Sequence, residues 1–234
     1  MLNRLAPHLF LLATLVVATP LLLPCPASAA TLDQSFTGPT DGILAILGGQ
    51  YYGQTYTANI TGTLAGVNLD ISFCGGVTCS PASDTTFPMQ VAIYDTVDGL
   101  PTTVLGSTTL PAGQPAPLSL LITFPEVISE IAGKQHAIVV NFPGSTLGPC
   151  CPFPNNGLWP VSTMNSYTAG DLVFSNDGVS WTPIFGPGGT RIFADVHFQT
   201  YVDPERAPEP ATLLLLSLGL AVFGGVAWRH HGRK

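Results

Sequence analysis

The chain has 234 residues, 46% of them hydrophobic and only 9% charged, with a formal net charge of −7. The charge is unevenly placed: between Thr31 and Pro210 all 14 carboxylates face only Lys134, Arg191 and Arg206, a net charge of −11. Such a balance excludes nucleic acid and anionic membrane surfaces as natural partners, because both repel it.

Residues 1–30 read as a secretory signal peptide. Arg4 supplies the positive start, Leu9 to Leu23 the apolar core, and Ala27-Ser28-Ala29 a small-residue cleavage site, with cutting after Ala29 or Ala30. The rival reading acylates Cys25, but Pro24 directly before that cysteine fits a lipoprotein box poorly. Either way the chain is exported into an oxidising compartment.

From Thr31 onward helical periodicity is absent. Short alternating runs are separated by Gly, Pro, Asn and Asp, the pattern of an all-β domain. Strands are predicted at 52–59, 64–73, 89–94, 103–110, 118–124, 136–142, 171–175, 180–184 and 191–202. In 64–73, Val67, Leu69, Ile71 and Phe73 share one face while Asn68, Asp70 and Ser72 share the other. In 191–202, Ile192, Ala194, Val196 and Phe198 share a face. The Pro/Gly-rich stretch 143–160 reads as a long loop. Eight or nine strands predict a two-sheet sandwich of jelly-roll type over 31–202, with a barrel as the alternative.

A linker, 203–210, leads to Pro208-Glu209-Pro210. Ala211 to Trp228 is an uncharged run of 18 residues, about 27 Å as a helix and close to the ~30 Å hydrocarbon core. It reads as a transmembrane helix. Arg229, Arg233 and Lys234 form a basic tail, 229–234, that stops transfer and stays on the cytoplasmic side. The two prolines hold Glu209 extended just outside the membrane.

The order Pro-Glu-Pro, apolar span, basic cluster over Pro208–Lys234 closely resembles the PEP-CTERM sorting signal of Gram-negative bacteria. The basic cluster here is diluted to RHHGRK. The resemblance implies exosortase, an integral-membrane cysteine transpeptidase, as processing partner. It would recognise Pro208, Glu209 and Pro210, remove the helix and pass the protein outward from a transient inner-membrane intermediate. The middle of the chain (QTYTAN, GTLAGVNLDI, VAIYDTVDGLPTTVLGSTTL, AGKQHAIVV, FQTYV) is similar to β-sandwich domains common in bacterial surface proteins. That likeness implies a surface location and no particular activity.

Four cysteines remain after export: Cys74, Cys79, Cys150 and Cys151. They predict two disulfides, pairing Cys74 and Cys79 crosswise with Cys150 and Cys151, or else a local Cys74–Cys79 bridge; four thiolates holding zinc is the weaker reading. Ser175–Trp181, SNDGVSW, resembles a single Asp-box one residue short, with Asp177-Gly178 as its turn and Trp181 covering the hairpin. Asp95 and Asp98 offer two carboxylates to calcium, too few ligands for a calcium loop. Trp159 and Trp181 are the candidate sugar-contact aromatics, against a core role.

Gly-x-Ser-x-Gly, His-Glu-x-x-His and a phosphate-binding glycine loop are all missing from the sequence. Glu126 and Glu130 have the residue types of a glycosidase pair, but their spacing near a strand end predicts a solvated edge. His136 and His197 have no ligand pattern beside them. The expectation is an exported, non-enzymatic surface or extracellular-matrix protein without cofactor or catalytic metal, structural or adhesive and linked to exopolysaccharide. The alternatives are a carbohydrate-binding module and, below it, a secreted hydrolase.

Overall fold

The computed structural model describes residues 29–46, 48–75, 80–81, 87–114, 121–144, 156–163, 167–184 and 195–205. The predicted signal peptide, the predicted 211–228 helix and the basic tail lie outside them, apart from Ala29 and Ala30. Ala29–Glu205 form one compact unit. None of the described residues is helical, and every strand pairing is antiparallel.

Sixteen strand segments make three sheets among the described residues. In the first sheet, β1 (Thr31–Phe36), β16 (Phe198–Pro204) and β4 (Gly62–Leu69) lie side by side, and β10 (Ser129–Glu130) and β9 (Leu121–Ile122) flank the far edge of β4. The second sheet has the order β14 (Thr182–Pro183), β13 (Leu172–Ser175), β3 (Tyr51–Thr57), β11 (Gln135–Asn141), β7 (Met89–Val97), β8 (Leu100–Leu110). In the third, β12 (Asn156–Ser162) has β2 (Gly42–Ile46) along one edge. Its other edge pairs with both β5 (Ser72–Gly75) and β15 (Asp195–Val196), and β6 (Ser80–Pro81) pairs with β5.

One hydrophobic core joins the three sheets into a β-sandwich, where two were expected; the third arises because β5 and β15 pair with β12. Leu64, Val67, Leu69, Phe198 and Val202 come from the first sheet, Tyr52, Tyr56, Met89, Val91, Ile93, Ile138 and Val140 from the second, and Ile46, Trp159, Val161 and Val196 from the third. A smaller cluster of Ala92, Tyr94, Ala137, Val139, Val173 and Trp181 builds on the opposite parity of the second sheet. That sheet therefore buries residues of both parities, which is why β11 is buried at six of its seven positions.

The first and third sheets meet at a fork. The ladder between β4 and β16 reaches Phe198↔Leu69 and then parts. One branch continues through Asp70 and Ile71 into β5, and the other is entered from β15 through His197. Both branches pair with the same edge of β12. Trp159 fills the gap: it is fully buried, and its Nε1–H donates to the His197 carbonyl at 2.8 Å. The His197 N–H donates in turn to the Pro160 carbonyl at 3.2 Å.

The alternation predicted for 64–73 is present, with Val67, Leu69 and Ile71 buried and Asp70 exposed, but the single run is shared between two sheets. The 191–202 run is divided in the same way; its first four residues lie outside the described set, as do 118–120. β12 corrects the reading of 143–160 as one long loop. Its backbone pairs on both edges, and Gly157, Trp159 and Val161 turn inward at period two. The sequence also gave no warning of β1, β2, β6 or β10.

At Asp98-Gly99 both φ angles are positive, 52° and 79°, which makes the tight turn between β7 and β8. Gly170 is held by close approach: a Cβ there would stand 1.7 Å from the Thr55 carbonyl oxygen. Gly170→Ala should therefore lower stability by at least the ~1–3 kcal/mol typical of overpacking. Urea unfolding checks this, with a shifted midpoint expected at an unchanged m-value.

Candidate functional site

The two chain ends of the β-sandwich lie at one end of the first sheet. Thr31 pairs with Val202, and the chain remains bonded to the fold as far as Glu205, whose N–H donates to the Thr61 carbonyl at 3.1 Å. Pro208, Glu209 and Pro210, and the basic Arg229, Arg233 and Lys234, lie outside the described residues. So do Cys79, Cys150 and Cys151; Cys74 sits in β5, its backbone opposite Asn156 and Pro81.

The two candidate sugar-contact indoles are interior residues. Trp159 occupies the fork. Trp181 is 8% exposed and stands edge-on to Tyr94 at 5.6 Å and Tyr51 at 6.5 Å, closing the smaller apolar cluster. The two are assigned to different clusters, so the structure does not assemble them into a stacking platform.

Ser175–Trp181 folds around Asp177. One carboxylate oxygen accepts the N–H groups of Val179 and Ser180 and the Ser175 hydroxyl; the other accepts the Ser180 hydroxyl. These donors, the Ser180 and Val179 amides foremost, hold the carboxyl well below the usual carboxylate range. Gly178 has φ 73°, and its N–H donates to Ser175 Oγ. The loop borders a shallow concavity of about 250 Å³, lined by Phe174, Ser175, Asn176, Asp177, Ser180 and Thr182. At the other turn Asp95 accepts Lys134 Nζ at 3.0 Å and the Thr96 N–H at 2.9 Å, so a lysine cation already compensates that carboxylate.

Glu126 and Glu130 have opposite fates. Glu126 is exposed and accepts the Ser107 N–H at 3.1 Å. Glu130 corrects the expectation of a solvated edge, being 1% exposed. Its strand takes the parity that points Ile128 inward, and Glu130 follows on the same face, leaving Val127 82% and Ile131 55% exposed. Glu130 Oε1 accepts the Tyr56 hydroxyl at 2.6 Å, and Oε2 faces His136 Nε2 at 3.4 Å, both side chains being fully enclosed.

Burial, reinforced by the Asp33 charge and opposed by the Tyr56 hydrogen bond, pushes Glu130 up to about 7. Burial and the Lys134 charge depress His136. Both shifts favour the neutral pair, Glu130 protonated and His136 unprotonated, over two buried charges.

Asp33 lies nearby at a bulge between β1 and β16 that turns both Asp33 and Gln34 inward. It accepts the Asn59 and Ile60 N–H groups at 2.9 and 2.7 Å. His197 Nδ1 lies 3.2 Å from Asp70, and its Nε2 lies 2.8 Å from the Gly38 carbonyl and 3.2 Å from Thr40 Oγ1. Bound to a carbonyl, that nitrogen acts as a donor, so the Asp70–His197–Thr40 series lacks the free base a nucleophilic hydroxyl needs. Among the described residues no cluster of three or more His, Cys, Asp or Glu is placed to hold a metal ion.

The deciding observation lies in the segment that follows Glu205. Residues 206–234 match the PEP-CTERM protein-sorting motif. The match begins at residue 206, next in sequence after Glu205, the last of the described residues. No match to the chain is found among curated proteins.

Glu130 and His136 make opposite contributions to pH dependence. A carboxyl raised from 4.5 to about 7 costs nothing below pH 4.5, where both folded and unfolded forms are protonated; stability is lost as pH rises toward 7, by about 3 kcal/mol in all. A depressed histidine costs stability as pH falls below 6.5. Relative to the wild type, Glu130→Gln should make stability climb with pH between 4.5 and 6.5, and His136→Asn should make it fall from 4.5 to 7. Urea midpoints across that range test both signs.

Proposed function

We propose that the chain is an exported protein, held in the inner membrane by 211–228 until exosortase processes it at Pro208-Glu209-Pro210, then released to the cell surface or extracellular space. The observation that carries this reading is the match of 206–234 to the sorting motif, next in sequence after Glu205, the last described residue of the β-sandwich. The mature domain, read as jelly-roll-like, serves a structural or adhesive role associated with exopolysaccharide, without catalysis, cofactor or catalytic metal.

Two features support a non-enzymatic role. The strongly shifted acid, Glu130, is enclosed with Tyr56 and His136. Asp177 is saturated by its own loop. The same restraint that keeps Asp177 ionised spends its lone pairs on local donors and leaves little basicity for proton transfer.

A carbohydrate-binding module is the second reading. It rests on the concavity beside Phe174, where Asn176, Ser180 and Thr182 present polar groups next to an aromatic ring.

Intact-mass measurement of the protein from its native host tests the first reading. A surface form lacking 211–234 is expected, and Glu209→Ala should leave the chain full-length and membrane-associated. A surface form that retains 211–234 makes the tail a permanent anchor. A glycan array separates the second reading: saturable binding to one sugar class that is lost in Asn176→Ala favours the module.

A further inference from the structure

Three backbone hydrogen bonds and one from a backbone N–H to a side chain tie the end of the sandwich around Glu205 into one patch. Glu205 N–H donates to the Thr61 carbonyl at 3.1 Å, and Ala132 N–H donates to Thr61 Oγ1 at 3.1 Å. Gly133 N–H donates to the Ala58 carbonyl at 2.7 Å, and Ala58 N–H to the Lys134 carbonyl at 2.9 Å. Thr61, Ile131, Ala132 and Gly133 are all exposed on this patch. Ile131 is the large apolar side chain among them, 55% exposed.

The tether from this patch to the sorting residues is short. Only Arg206 and Ala207 separate Glu205 from Pro208, so the motif begins within about 10 Å of the folded surface even when the chain is fully extended. The final strand cannot readily lend length. Val202 is paired with Thr31 on one side and Leu64 on the other, and Asp203 and Pro204 are paired with Thr63 and Gly62. Peeling back β16 opens the sheet from an interior strand.

An enzyme seated in the membrane and gripping Pro208-Glu209-Pro210 therefore has the folded domain against it. We propose that Thr61 with the Ile131–Gly133 turn is the surface that contacts the processing enzyme during cleavage; this rests on the exosortase reading above. The contact proposed centres on the small and apolar side chains of Thr61 and Ile131–Gly133, with the exposed Lys134 and Glu205 at its margin, so the complementary enzyme surface has an apolar centre.

Pulse–chase of the full chain in its native host tests the inference, with the rate of loss of 211–234 as the readout. Ile131→Asp should slow processing several-fold. A Gly/Ser insertion of about ten residues between Arg206 and Ala207, adding roughly 17 Å of flexible reach, should restore the rate in the Ile131→Asp chain. That rescue also shows the variant folds and is exported. A photo-crosslinking side chain at Ala132 should capture the enzyme.

Processing of Ile131→Asp at the wild-type rate overturns the inference, as does a slow rate that the insertion leaves unchanged. Crosslinking to lipid alone overturns it in favour of a membrane contact. A wild-type chain that is never processed overturns the exosortase reading and this inference together, which separates the two failures.

Discussion

The architecture depends on the bond between the Trp159 indole and the His197 carbonyl. Where β4 and β16 part, each ladder loses a partner and two backbones must turn toward a third strand. An indole buried there has one donor to satisfy, and a carbonyl at the start of the fork has no ladder partner of its own. Joining them solves both problems with one side chain. Pro160 fits beside it for a related reason. In a strand the N–H and C=O of one residue point to the same edge, and the Pro160 carbonyl faces the fork. The donor that proline lacks therefore falls in the gap between β5 and β15, where no rung is lost.

A second constraint crosses the sandwich. Gln54 of β3 donates to Asp195 and accepts the Val196 N–H, so a side chain from the second sheet completes a backbone group of the third. Tyr167 continues the chain of contacts: its N–H binds Asp195 and its hydroxyl binds Gln34 of β1. Such a network is favourable only with its members satisfied together, which ties layer spacing to strand register. Glu130, Tyr56 and His136 meet burial differently, through shifts of Glu130 and His136 toward their neutral forms. Two enclosed charges would need compensation that a single 3.4 Å contact does not supply.

The end of β16 joins this framework to the sorting segment. Its last residues are bonded into the sheet, and the matched motif follows at once.

Much of this was legible in the residues, for local reasons. Alternation over 64–73 reports burial because side chains in a strand point to opposite faces whatever the sheet. Asp98-Gly99 reports a turn because few other residues accept two positive φ angles. The proline-flanked glutamate, apolar run and basic tail report a sorting signal through order and composition alone. Tertiary structure decided the rest. Whether one alternating run serves one sheet or two depends on the strand that meets it at the fork. The parity of 127–131 shows the limit most clearly. Its apolar residues sit on both faces, so local pattern cannot choose between burying Val127 with Ile131 and burying Ile128 with Glu130. The pairing of Ser129 and Glu130 with Thr63 and Gly62, and a tyrosine waiting in the opposite sheet, made that choice.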